Sequence, residues 1–249
     1  MAKVCIDAGH YGRYNRSPVN PAYFESVQMW ALSRYLGPAL KAKGIEVVYT
    51  RPNMNVDMEL TERGKKAKGC DLFISLHSNA ASTKVPDYPI AFVPLNGTGT
   101  KIGQKLADCV CSTMGTAQKG RTATRKGSTG ADYYGVIRGA VSVGVPGIIL
   151  EHSFHTNAKA TEWLLKDDNL RIMAQVEADC IADYLGASKT PYMVRVKIKT
   201  LNIRTGPDKN YPSNGHIKPG VYTIVEEQDG WGKLKSGVGW IYLGYTTRI

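Results

Sequence analysis

The chain has 249 residues, 43% of them hydrophobic, and a formal net charge of +11. That length holds one large domain or two unequal ones with a real core, and no stretch approaches the roughly 20 consecutive apolar residues of a bilayer-spanning helix, so no membrane insertion is expected. The positive charge favours acidic partners such as nucleic acid, anionic membranes or an anionic wall polymer, although solubility alone also accounts for it; the Lys and Arg residues are scattered rather than striped, which argues against nucleic acid.

The first ~190 residues read as strands alternating with helices. KVCIDAG is a short strand that begins almost at once, with no apolar leader before it, so synthesis in the cytoplasm without a signal peptide is expected. FESVQMWALSRYLGPALKAKG is helical, with Val27, Ala31, Leu32, Leu36, Ala39 and Leu40 on one face. Pro38 is expected to kink or interrupt it, and Gly44 to end it. IEVVYT is a strand, LTERGKKAKG a short helix, DLFISLH a strand and IAFVPL a further candidate strand. TKIGQKLADCVCSTMG is a helix with Ile102, Leu106, Val110 and Met114 in register. VPGIILEHSF is an apolar strand, and ATEWLL and NLRIMAQVEADCIADYLG are helical. Apolar strands without alternation, separated by amphipathic helices, predict a mostly parallel twisted sheet flanked by helices. The five cysteines have no CxxC spacing; Cys109 and Cys111 point to different faces of their helix, and buried, reduced thiols are expected.

Near residue 188 the pattern changes. Residues 188–193 read as a linker between a domain at 1–187 and one at 194–249, where short strands are broken by Gly, Pro, Asn and Asp and no helical period occurs. This predicts a small all-β unit.

In a parallel α/β sheet, sites form beyond the carboxyl ends of the strands. Three such ends carry chemistry: CIDAGH ends at His10, FISLH at His77 and GIILE at Glu151, while Glu25 opens the first helix. Two imidazoles and a carboxylate suit Zn²⁺, and a catalytic zinc takes three protein ligands with one position left for water. His10, Glu25 and His77 supply that set, with Glu151 left as a base. Composition alone does not choose between this and two hydrogen-bonded structural histidines.

The ordered motifs do more. Asp7-Ala8-Gly9-His10-Tyr11-Gly12, then Glu25, Thr50-Arg51, Leu60-Thr61-Glu62-Arg63, Asp71 through Ala80, and Leu150-Glu151-His152-Ser153-Phe154-His155-Thr156-Asn157 follow one another as in the zinc-dependent N-acetylmuramoyl-L-alanine amidases of the type 3 family, which residues 3–186 resemble. The resemblance implies that His10, Glu25 and His77 bind Zn²⁺ and that Glu151 is the catalytic carboxylate. It also implies cleavage of the amide between N-acetylmuramic acid and L-alanine in the peptidoglycan of a bacterial cell wall. Asn79, Arg63 and His155, in or beside these motifs, are the candidate substrate-contacting residues. The sequence departs from the family at Ala8 (usually Pro), Tyr11 and Ser153 (usually Gly), in the loop 11–24, and in the additional His155. Strand alternation would put 151, 153 and 155 on one face, bringing His155 to the site; a surface loop histidine is the other reading. His152 would point away.

Leu201-Asn202-Ile203-Arg204-Thr205-Gly206-Pro207, Gly230-Trp231-Gly232 and Gly239-Trp240-Ile241 resemble bacterial SH3-like domains, which implies a small wall-binding barrel. Trp231, Trp240, Tyr222 and Tyr242 are candidates for its core, while Tyr211, Trp231 and Tyr245 are candidate wall contacts. A leaderless amidase with a wall-binding module resembles a bacteriophage endolysin, acting on the wall after release from the host cytoplasm; the alternatives are a host autolysin and a non-catalytic wall-binding protein. A cysteine peptidase is disfavoured because no cysteine sits beside a histidine at a strand end.

Overall fold

The computed structural model describes residues 2–187 and 191–249, in two compact units, Met1–Ala187 and Ser188–Ile249. Positions 188–190 of the expected linker lie outside the described residues, and the second unit's first strand already starts at Tyr192.

The first unit is built on a six-stranded sheet. Its strands are β1 (Lys3–Ala8), β2 (Glu46–Tyr49), β3 (Leu72–Asn79), β4 (Ile90–Phe92), β5 (Arg121–Ala123) and β6 (Gly147–Phe154), in the order β2-β1-β3-β6-β4-β5. β2, β1, β3 and β6 run parallel; β4 lies antiparallel to β6, and β5 runs parallel to β4. Alternate residues of the parallel strands enter two different cores. Ile6, Ile74, Leu76, Ile148 and Leu150 pack with the helices α1 (Glu25–Lys41), α3 (Thr100–Met114) and α6 (Asp167–Tyr184). Cys5, Phe73 and Ile149 face the opposite layer, with Ala67 and with Val136, Ile137 and Ala140 of α4 (Gly135–Ser142). Burial on both faces is why these strands read as unbroken apolar runs.

Three expectations need correction. α1 continues through Pro38 without interruption; that side of the helix is exposed to solvent, so the missing N–H costs no buried hydrogen bond. Of the face expected for α1, Leu32, Leu36 and Leu40 are buried and the half-buried Ala31 and Ala39 pack against the same core; Val27 is half-buried outside it, and Met29, Ser33 and Gly37 complete the buried stripe. The five thiols are not all free: Cys109 on α3 is bonded to Cys180 on α6, 71 residues away, while Cys5, Cys70 and Cys111 remain reduced. No local spacing signals such a pair.

The layer beneath the site depends on a close crossing of α4 with α2 (Leu60–Lys65), because Gly64 and Gly139 let the two backbones touch. A Cβ on Gly139 would lie 2.1 Å from the Thr61 carbonyl oxygen, and one on Gly64 would lie 2.2 Å from that of Val136. Overpacking of this kind costs about 1–3 kcal/mol. Gly139→Ala is therefore expected to lower the thermal midpoint by several degrees in calorimetry; an unchanged midpoint would show that α2 can slide without loss.

The second unit is a seven-stranded antiparallel arrangement. It comprises β7 (Tyr192–Val196), β8 (Leu201–Arg204), β9 (Ser213–Ile217), β10 (Gly220–Gln228), β11 (Trp231–Leu234), β12 (Trp240–Tyr242) and β13 (Thr246–Arg248), in the order β13-β7-β10-β11-β12-β8-β9. Its core is aliphatic: Val194, Val196, Leu201, Ile203, Ile224, Leu234 and Ile241. Of the four aromatic residues considered for that core, only Trp240 is buried; Trp231 and Tyr222 are half-buried, and Tyr242 is exposed.

Candidate metal centre

The carboxyl ends of β1, β3 and β6 lie side by side, which is how residues distant in sequence come to share one cleft of about 710 Å³. His10 follows β1 in a left-handed conformation (φ 58°). Gly9 before it packs under the His77 ring, where a Cβ would come within 2.4 Å of Cε1. The two rings meet edge-on with centroids 5.1 Å apart, and Tyr14 stacks on the other side of His10.

Glu25 is the first residue of α1 and only 1% exposed. Its Oε1 accepts the Ser78 backbone N–H at 3.1 Å and lies 2.8 Å from His77 Nδ1. Its Oε2 lies 3.3 Å from His10 Nε2 and accepts from Asn15 Nδ2 at 2.7 Å. Burial by itself would raise the Glu25 pKa; hydrogen bonds from His10 and His77 and the charge of the two rings overcome it, holding the carboxyl well below the usual range. Donor atoms from His10, Glu25 and His77 all lie within 4.8 Å of one another.

Glu151 pairs with His77 across β3 and β6 and lines the same cleft. It is buried, and its Oε2 has no hydrogen-bond partner among the described residues. Burial, and then the negative charge of Glu25, push its pKa well up, with His152 opposing only weakly. Two carboxyls in one cleft are thus driven in opposite directions.

Beyond Glu151 the strand stops alternating. Ser153 adopts φ 62°, and the β3–β6 register shifts between His77 and Asn79, the signature of a bulge whose left-handed residue is ordinarily Gly. The Ser153 hydroxyl turns to Asp87 Oδ1 at 2.8 Å, away from the cleft. His155 nevertheless returns to the cleft. It is no surface histidine: it is 6% exposed, stacks near Tyr23, and its Nδ1 donates to the Ser78 carbonyl at 2.8 Å. His152 points away as expected; buried between layers, it ion-pairs with Glu177 of α6, and its Nδ1 donates to the His77 carbonyl at 3.0 Å.

Asn79 lines the cleft and accepts the His155 N–H on its carbonyl at 2.8 Å. Arg63 also borders it, but the guanidinium is buried and bonded within the chain, to Met58 O, His10 O and Asp57. Behind it Asp7 accepts from Thr50 and Ser75. Sequence reasoning did not pick out Asn15, Ser78, Tyr133, Tyr134 or Arg138, although all line the cleft. In the second unit, Trp231 and Tyr245 line a separate groove of about 580 Å³ together with Tyr242, Asn202, Arg204 and Lys209; Tyr211 is exposed outside it.

A family model described as N-acetylmuramoyl-L-alanine amidase matches residues 4–183. The chain belongs to the N-acetylmuramoyl-L-alanine amidase family. Among solved structures the family fold recurs. Cwp6 from Clostridium difficile is 26% identical, with a TM-score of 0.65 over 73% of this chain, although the match spans only 29% of Cwp6. The catalytic domain of CwlV, an N-acetylmuramoyl-L-alanine amidase from Bacillus (Paenibacillus) polymyxa var. colistinus, is 24% identical, with a TM-score of 0.63 over 75% of this chain and 99% of that one. AmiC2 of Nostoc punctiforme, also an N-acetylmuramoyl-L-alanine amidase, is 20% identical, with a TM-score of 0.62 over 74% of this chain and 97% of its own. No curated protein sequence matches the chain.

In this amidase-family site the His152–Glu177 pair anchors the backbone of His77 from beneath. Removing one partner of a buried pair strands the other and costs about 3–5 kcal/mol. Glu177→Ala is expected to lose stability on that scale in denaturant unfolding, and a loss under 1 kcal/mol would show that His152 needs no counter-charge.

Proposed function

We propose that the first unit is a zinc-dependent hydrolase of peptidoglycan that cleaves the amide between N-acetylmuramic acid and L-alanine. The observation that carries this reading is the convergence of His10, Glu25 and His77, with the unpartnered carboxyl of Glu151 in the same cleft. The donor set suits Zn²⁺: two borderline nitrogen ligands and one carboxylate already held in its ionised form. His10, Glu25 and His77 would hold the ion. Bound there, zinc would supply Lewis acidity, polarising the scissile carbonyl and making water a competent nucleophile near pH 7.

The chain's own groups do the rest. Glu151 takes a proton from the attacking water and returns it to the departing L-alanine amine. A carboxyl whose pKa is pushed up by burial and by a neighbouring carboxylate is a better base than an ordinary one, and a competent acid afterwards. Asp7, Arg63 and the β-bulge at Ser153 hold the strand ends in place around it.

The second unit, on this reading, is an SH3-like wall-binding module. Its LNIRTGP opening, its nine Lys and Arg against four Asp and Glu over 192–249, and the Trp231–Tyr242–Tyr245 groove support that role. The whole then works as a bacteriophage endolysin, made in the host cytoplasm and acting on the wall after release.

Dye release from purified walls tests the reading. Activity is expected to vanish with chelator and return with Zn²⁺, and free N-terminal L-alanine is expected among the products; reducing sugar ends in its place would replace the amidase with a glycosidase. Glu151→Ala is expected to keep its zinc and lose turnover by at least 100-fold, whereas His77→Ala is expected to lose the zinc. Near wild-type turnover by Glu151→Ala would remove the base assignment.

A further inference from the structure

The loop between β1 and α1, residues 11–24, is fastened down rather than free. The Tyr14 N–H donates to Ser26 Oγ at 2.8 Å, Ser26 Oγ donates to the Gly12 carbonyl at 2.8 Å, and Arg16 bridges to Phe24. At the centre of this clasp stands Asn15. Its carbonyl accepts the Glu25 N–H at 3.0 Å, and its side-chain nitrogen lies 2.7 Å from Glu25 Oε2 and 3.0 Å from His10 Nε2. One residue therefore holds both the main chain and the carboxylate of Glu25.

The chemistry between these atoms is specific. In the neutral form that can bind a metal, His10 presents a lone pair in place of a donor, and a carboxylate oxygen 3.3 Å away then repels it unless something electropositive stands beside both. That separation is also the edge of a zinc tetrahedron with bonds of about 2.0–2.1 Å. The Asn15 amide, with two N–H donors, supplies the missing positive partner. Its backbone is left-handed (φ 52°), a conformation in which Asn is one of the few tolerated residues.

We propose that Asn15 is a positioning residue of the metal centre: its amide holds Glu25 and His10 at coordinating separation before a metal arrives, and afterwards keeps the Glu25 carboxylate oriented. This rests on the metal reading above. Groups that orient metal ligands typically govern affinity by 10–100-fold. Asn15 is not itself a ligand, so removing it should leave the number of ligands unchanged.

The test uses Asn15→Gly, which removes the amide while leaving a residue at ease with positive φ. Zn²⁺ affinity is measured by competition with a chromogenic chelator, ligand number by the visible absorption of the Co²⁺-loaded protein, and fold by the thermal midpoint of the metal-free protein. The expected result is affinity weakened by about 10–100-fold, with an unchanged Co²⁺ spectrum at saturation and a metal-free protein that still unfolds cooperatively, its midpoint lowered by a few degrees for the lost bond to a buried carboxylate. Affinity within twofold of wild type overturns the proposal. So does a changed Co²⁺ spectrum, which would make Asn15 a ligand, or loss of the cooperative metal-free unfolding transition, which would make its role one of general stability. Wild-type chain that takes up no Zn²⁺ would sink the metal reading itself. Metal lost from His77→Ala but retained at full affinity by Asn15→Gly would sink only the role of Asn15.

Discussion

A carboxylate with almost no solvent contact stays ionised only if the protein replaces the water it has lost. Glu25 sets that demand, and much of the first unit answers it. It sits at the start of α1, where free backbone N–H groups favour negative charge. Each of its oxygens then has its own partners: the Ser78 N–H and the His77 ring on one, Asn15 and the His10 ring on the other. Those partners come from β1, β3 and the loop leading into α1. Fixing Glu25 therefore fixes the relative positions of three elements, and a group that replaced it without charge would leave two imidazoles facing nothing.

The strand ends that meet this demand are bent to do so. His10 and Ser153 both take left-handed backbone, and Gly9 is bare so that His77 can lie against it. Residues other than Gly in that conformation carry strain of order 1 kcal/mol or more. Ser153 offsets part of it through its bond to Asp87, which in turn accepts the Ala117 N–H and so ties β6 to the segment beyond α3. The bulge ends the alternation of β6 and swings His155 back to Ser78.

The parts legible in the sequence were those governed by period and by strand ends. β1, β3 and β6 show as apolar runs because both faces are covered, and the rule that sites lie beyond the carboxyl ends of parallel strands puts His10, His77 and Glu151 together. β5 was missed because Arg121–Ala123 is three residues with no apolar pattern, and α4 because Gly135, Gly139, Val136 and Val141 are poor helix formers that earn their place by packing on α2. The Cys109–Cys180 pairing and the reversed direction of β4 are tertiary facts with no local trace. Asn15 escaped for a related reason. It lies in a loop without periodicity, and its role depends on a left-handed backbone and on the clasp by Ser26, neither of which composition encodes.

Two glutamates share one cleft and end in opposite states, and the difference follows from their neighbours alone. Glu25 is surrounded by donors and is held ionised; Glu151 has one oxygen without any donor and faces the charge of Glu25, so it is driven toward its protonated form. The coupling makes the pair interdependent: the more firmly Asn15, Ser78 and the two rings keep Glu25 charged, the more basic Glu151 becomes. A cation among His10, Glu25 and His77 would neutralise part of the Glu25 charge and relax that push. The two carboxyls are thus tuned by one electrostatic arrangement, in which the donors around Glu25 set the basicity of Glu151 across the cleft.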